Sequence, residues 1–81
     1  MLNLKIVSPE KVVFQGEVES VLVPGTVGEF EILTDHAPII STLGEGRVEY
    51  ATKDGKQQFL IHGGFVEVKR NNVSLCIEQQ S

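Results

Sequence analysis

Apolar residues recur at every second position along most of this chain, and that rhythm excludes most folds at once. In Val73-Ser74-Leu75-Cys76-Ile77 the Val, Leu and Ile alternate with small or polar neighbours. Phe30 and Ile32 alternate with Glu29 and Glu31, and Val48 and Tyr50 with Arg47 and Glu49. Phe59 and Ile61, then Val66 and Val68, continue the pattern. A strand turns successive side chains to opposite faces, so a period of two rich in β-branched residues reads as half-buried strands. No segment carries the i, i+3, i+4, i+7 spacing of an amphipathic helix.

The breaks between these runs are turn-formers. Pro24-Gly25 with Gly28, and Gly44-Glu45-Gly46, interrupt the pattern. Asp54-Gly55 between 48–52 and 56–62, and Asn71-Asn72 between 65–69 and 73–78, predict hairpins, because these residues tolerate positive φ. Gly16 predicts a bend between 12–14 and 17–23, and Gly63-Gly64 a bulge or a sharp corner in an otherwise continuous run. Eight to ten short strands in 81 residues do not make one flat sheet with a buried face. The expectation is all-β: two packed sheets or a closed barrel, in a single domain over 1–81.

Composition narrows the function classes. A folded chain of 8.9 kDa exposes about 4,800 Å² by surface scaling. No apolar run approaches the length that spans a bilayer, and Met1-Leu2-Asn3-Leu4-Lys5 does not read as a signal peptide. One cysteine, Cys76, forms no internal disulfide, which fits a reducing compartment. The net charge of -4, no Trp and one Tyr disfavour nucleic-acid binding, which calls for a basic face with stacking aromatics. Residues 1–49 carry eight carboxylates against three cations, while 50–81 sum to +1. That acidity reads as solvated strand faces, with steering of a basic partner as the alternative.

Catalytic constellations are not found, and the chain is read as no enzyme. His36 follows Asp35, but strand neighbours point to opposite faces and do not form an oriented pair. Glu17/Glu19 and Glu29/Glu31 share faces on alternating strands, where a solvated role fits better than acid–base work. His36, His62 and Cys76 lack metal-ligand spacing, and Gly25-Thr26-Val27-Gly28 is followed by neither Lys-Ser/Thr nor a helix start. Neither metal nor cofactor is expected.

Two features ask for a macromolecular partner instead. In His36-Ala37-Pro38-Ile39-Ile40-Ser41-Thr42-Leu43 the segment is apolar on both faces, Ile39 and Leu43 on one and Ile40 on the other. A thin sandwich buries one face of a strand, and Pro38 places this one at an edge or in a loop. Phe65 shares its strand face with Glu67 and Lys69 while Val66 and Val68 take the core face. An outward Phe65 would extend a contact patch; a bulge at Gly63-Gly64 that reverses the facing would put it in the core.

The ordered set of motifs resembles a known family. It comprises Ile6-Val7-Ser8-Pro9-Glu10, Phe14-x-Gly16-x-Val18, Val23-Pro24-Gly25-Thr26-x-Gly28-Glu29-Phe30-x-Ile32-Leu33, His36-Ala37-Pro38, Leu43-x-x-Gly46, Gly63-Gly64-Phe65-Val66-Glu67-Val68 and Asn72-Val73. Their order and spacing resemble the N-terminal β-sandwich of the epsilon subunit of F-type ATP synthase across nearly the whole chain. The resemblance implies a flattened sandwich of two five-stranded sheets, about ten short strands. It implies a rotor subunit of the central stalk that joins the gamma subunit to the membrane rotor ring and couples proton flow to ATP synthesis. The gamma contact would lie at His36, Ala37, Pro38, Ile39, Ile40, Thr42 and Phe65, and the ring contact at Gly28, Glu29 and Phe30. The location implied is the cytoplasmic face of a bacterial inner membrane, as a peripheral part of the complex, with a monomer in isolation. The family often has Gly where Glu31 stands, Pro-Gly or Pro-Asn where Thr34-Asp35 stand, and a small polar residue where His62 stands. It usually continues into a C-terminal helical hairpin, which this sequence lacks, so a short form is expected, natural or excised. The rival reading is a lysine-modified carrier domain of the biotinyl or lipoyl type, with Lys53 at a hairpin tip as its handle.

Overall fold

Turns with defined chemistry cut the chain into its strands. The computed structural model describes residues 1–79. It contains β1 (Leu2–Val7), β2 (Val12–Val18), β3 (Ser20–Gly25), β4 (Gly28–Ile32), β5 (Ile39–Leu43), β6 (Gly46–Thr52), β7 (Gly55–Lys69) and β8 (Asn72–Gln79). No helix forms among the described residues. The two predicted hairpins are present, each displaced by one residue. Thr52 pairs with Gly55, so Lys53-Asp54 form the tip and Gly55, at φ 129°, takes the first place of β7. The Asp54 N–H donates to Thr52 Oγ1 at 3.1 Å, closing the turn from within. Lys69 pairs with Asn72, and the tip is Arg70-Asn71 at φ 52° and 62°. Two positive φ values in a two-residue loop are the hairpin geometry that matches strand twist.

The strands form one sheet folded into two layers. The first runs β2-β1-β8-β7-β5 and the second β4-β3-β6-β7, so β7 serves both. Its first half pairs with β6 and its second half with β5 and β8. Eight strands, with β7 used twice, therefore stand where about ten short ones are expected. The layers also meet at the single pair Gly25 and Leu43. Neighbours are antiparallel except β1 and β8, which run parallel.

The fold line falls at Gly63-Gly64. Register slips between Ile61 and Gly63, and the inward phase changes with it. Phe59 and Ile61 face in before the bulge, Val66 and Val68 after it. An inserted residue shifts a period-two pattern by one, so one continuous strand fills both layers with its apolar side. The bulge is real, but Phe65 points outward, so the reading that a reversed facing would put it in the core is overturned: the shifted phase turns Val66 and Val68 inward. Gly64 sits at φ 150°, where a Cβ would land on the Cys76 carbonyl oxygen and 2.9 Å from Ile77 Cα. Only the absence of a side chain lets β8 come this close.

Between the layers lies an aliphatic core. Leu2, Leu4 and Ile6 of β1, Val18, Val21 and Val23, Ile32, Leu43, Val48, Ile61, Val66 and Val68, and Val73, Leu75 and Ile77 of β8 are buried. No polar or charged side chain is buried among the described residues. Val13, Phe14, Phe30, Ile39, Tyr50 and Phe59 pack around it half-exposed. The accessible surface, 4,995 Å², agrees with the scaling expectation.

Two outcomes follow from this packing. Gly64→Ala should lose about 3 kcal/mol or more, because backbone must move, while Gly63→Ala, whose Cβ meets only the Leu43 carbonyl at 3.5 Å, should stay within about 1 kcal/mol; urea midpoints separate them. Tyr50 stacks on Phe14 with ring centroids 4.4 Å apart, and burial raises its phenol above the usual range. The folded state then favours the neutral phenol, so its contribution to stability is complete below about pH 10 and is lost as pH rises through the folded value. Tyr50 is the single tyrosine, so its ultraviolet titration should lie higher in the native chain than in urea, and equal values would refute the effect.

Candidate partner-binding surface

A surface without buried polar groups offers adhesion before it offers chemistry, so the outward side chains matter. On β5 the alternation is clean: Ile39 is half-buried and Leu43 buried, whereas Ile40 and Thr42 face out. Ile40 is 75% exposed, more than any other strand residue among the large hydrophobics. Register places Thr42 beside Phe65, Phe65 beside Cys76, Cys76 beside Val7 and Val7 beside Val12. Thr42, Phe65 and Val12 are exposed, Cys76 and Val7 half-buried. One mostly apolar row therefore crosses the whole outer face of the first layer, with Thr42 at its β5 end and Ile40 the next outward residue of β5. The next row, Ile40, Glu67, Ser74, Lys5 and Gln15, is polar beyond Ile40.

The segment before β5 is held by two turns that grip each other. His36 N–H donates to the Leu33 carbonyl at 3.1 Å, making a four-residue turn with Asp35 third, at φ 65°. Positive φ at the third residue suits Gly or Asn, with Pro favoured second. Thr34 and Asp35 take those two places here. Asp35 is helped by Asn71, itself left-handed. The Asp35 N–H donates to Asn71 Oδ1 at 2.7 Å, and Asn71 Nδ2 donates to Asp35 Oδ1 at 3.2 Å. His36 Nδ1–H in turn donates to the Ala37 carbonyl at 2.7 Å, fixing the ring beside exposed Ala37 and Pro38.

The other predicted contact lies at the opposite end of β5. Gly25 and Gly28 close the β3–β4 hairpin around Thr26-Val27, and Gly25 abuts Leu43. Val27 at the tip is fully exposed. Gly28 and Glu29 are exposed, whereas Phe30 is half-buried against the core and anchors the hairpin. Glu29 accepts a bond from Arg47 Nε at 3.1 Å, and that carboxylate raises the Arg47 pKa. Arg47 also lies 3.7 Å from Glu49, and Lys56 3.8 Å from Glu49, so paired charge runs along the outer face of the second layer, beside exposed Leu60. His62 sits 3.5 Å from Glu45 at the rim.

The structure thus turns Ile40, Thr42 and Phe65 outward on one face, with His36, Ala37 and Pro38 in the segment leading into β5 and Ile39 turned toward the core, and sets Gly28, Glu29 and Phe30 apart at the hairpin. Val7, Val12 and Cys76 are members of the apolar row that sequence reasoning missed. The signal exists only across strands, because each is a single outward residue in its own strand. Among the described residues no three His, Cys, Asp or Glu side chains gather into a metal site. Lys53 is exposed at the β6–β7 tip.

Comparison with known proteins identifies relatives of the chain. The family model for the ATP synthase Delta/Epsilon chain beta-sandwich domain matches residues 1–80. The ATP synthase epsilon chain of Leptospira borgpetersenii is 46% identical over 77 residues, covering 95% of this chain and 61% of that one. The epsilon chain of Chlorobium limicola is 43% identical over 80 residues, covering 98% and 91%. The chain thus spans about three fifths of the Leptospira relative and nearly all of the Chlorobium one. In fold it is similar to a chain in the cryo-EM structure of the Euglena gracilis mitochondrial ATP synthase, with TM-score 0.87 and 24% identity over 94% of this chain and 49% of that one. These matches leave the carrier-domain reading of Lys53 without support.

The turn that presents His36 gives a direct test. Asp35→Gly and Asp35→Asn should hold stability within about 1 kcal/mol, while Asp35→Val should cost about 1–3 kcal/mol, since a β-branched residue resists positive φ. Thermal melts of the three variants decide it.

Proposed function

This chain belongs to the ATP synthase delta/epsilon chain family, as its β-sandwich domain, and from that premise we propose that it works as a rotor subunit of the central stalk. It binds the gamma subunit through His36, Ala37, Pro38, Ile39, Ile40, Thr42 and Phe65. It meets the membrane rotor ring through the β3–β4 hairpin, with Gly28 and Glu29 outward and Phe30 seating the hairpin on the core. Its role is mechanical and non-catalytic: torque from proton flow passes through a sandwich that resists shear. Its place is the cytoplasmic face of a bacterial inner membrane, as a peripheral part of the complex.

The observation that carries this reading is Ile40. A large aliphatic side chain is three-quarters exposed on a strand whose other face is already committed to the core. On β5 it is the outward neighbour of Thr42, which pairs with Phe65. Burial of such an anchor against a partner contributes more than any rim charge does. Charge on the two faces fits two partners. The first layer presents an apolar row, suited to a packed protein surface, and the second a paired-charge band at the hairpin, suited to polar loops.

Gel filtration of the chain with its gamma subunit tests the proposal. Wild type should co-elute, and Ile40→Asp should weaken binding at least about tenfold, roughly 1.4 kcal/mol, while its melting stays near that of wild type because residue 40 faces water. No co-elution of wild type, or undiminished co-elution of Ile40→Asp, would count against it.

A further inference from the structure

Strand edges expose unsatisfied backbone groups, and proteins normally guard them with charge, proline or a bulge. Among the described residues this fold has four. β2 and β4 each end a layer, the first half of β7, which carries Lys56, has only β6 beside it, and β5 has β7 on one side but meets β3 on the other only at Leu43. β4 carries Glu29 and Glu31, and β2 carries Glu17 with Lys11 just before it. β5, Ile39-Ile40-Ser41-Thr42-Leu43, carries no charge, and its pairing with β7 runs without a register shift. Its one guard is Pro38, just before it.

Its hydrogen-bonding direction can be read from the turn that follows. Gly44 N–H donates to the Pro24 carbonyl at 2.8 Å, so at residue 44 the backbone points towards β3. Backbone groups alternate sides along a strand, so those of Thr42, Ile40 and Pro38 point the same way, while Ile39, Ser41 and Leu43 bond β7. The other strands of its own layer agree. Asn3 N–H donates to the Asn71 carbonyl, which turns odd residues of β8 to β1 and even ones to β7. β7 must then offer Gly64, Val66 and Val68 to β5, the partners of Leu43, Ser41 and Ile39. Pro38 therefore lacks its N–H on the outward side, where no ladder bond to β7 is lost. The Thr42 carbonyl already accepts the Ser41 hydroxyl at 3.3 Å. What remains open is the Pro38 carbonyl, both groups of Ile40 and the Thr42 N–H, a set that one extended strand would satisfy.

We propose that gamma binds here by strand addition: an extended segment of gamma pairs with β5 alongside Ile40 and extends the first layer. This rests on the gamma-binding reading above and adds its mode. The absence of charge on this edge alone, next to the apolar row, favours an uncharged strand over a basic helix as the occupant. The Ile40 side chain then packs outward beside the added strand, and Pro38 limits pairing at its N-terminal end.

Amide hydrogen exchange of the labelled chain, quenched and read residue by residue, tests this with and without gamma. In the free chain the Ile40 and Thr42 amides should exchange quickly and those of Ile39, Ser41 and Leu43 slowly. With gamma bound, Ile40 and Thr42 should slow by about 100-fold. Binding without that protection overturns strand addition and leaves the gamma reading intact; no binding removes both. Protection of Ile40 in the free chain that grows with its concentration would assign the edge to a second copy and overturn the proposal. As a variant test, Ile40→Pro removes the outward N–H and Ile40→Ala keeps it, so Ile40→Pro should bind gamma at least about tenfold more weakly than Ile40→Ala. Equal loss would point to the side chain alone and overturn the proposal; should Ile40→Pro not fold, the wild-type exchange decides.

Discussion

Everything in this fold depends on the close approach of two backbones at Gly64. There β7 passes from one layer to the other while β8 lies against it with no side chain between them. The bulge beside it moves the inward phase from Phe59 and Ile61 to Val66 and Val68, so a single strand lines both halves of the core. A small domain has little surplus burial, and using one strand twice gives a two-layer core from eight strands. The bulge also decides which way Phe65 faces, and so whether the outer apolar row exists at all.

The exposed surface is organised by β5 in the same economical way. Its Ile39 end follows the Asp35–Asn71 clamp and its Leu43 end touches the base of the β3–β4 hairpin, roughly 13 Å apart at strand rise. The two surfaces proposed for two partners are therefore ends of one short strand, seated on the core by Leu43 and Ile39. Glu29, in the hairpin, is steadied by Arg47 rather than left as a free charge, which an exposed ion pair does at little energetic gain.

Much of this was legible in the residues. Alternation such as Val73-Leu75-Ile77 marked strands, and Phe59/Ile61 followed by Val66/Val68 already contained the phase change. Turn positions were off by one at Asp54-Gly55 and Asn71-Asn72, because propensity marks residues that tolerate positive φ without saying which of them will adopt it; Arg70, a poor candidate, does so here. The strand count was high because a bulged strand reads as two. Ile40 stood out because its own strand was apolar on both faces. Val7, Val12 and Cys76 did not, since an outward apolar residue becomes part of a patch only through register with strands far off in sequence. The direction of the β5 backbone was equally invisible: it is read from two bonds, Gly44 to Pro24 and Asn3 to Asn71.

The core holds aliphatic carbon and nothing that titrates among the described residues. Acid unfolding ordinarily works through groups whose protonation differs between the folded and unfolded chain. Here the buried interior holds no such group, and Tyr50, whose phenol burial raises, packs at its edge. The interior packing itself therefore loses no ion pair or side-chain hydrogen bond when surface carboxylates take up protons.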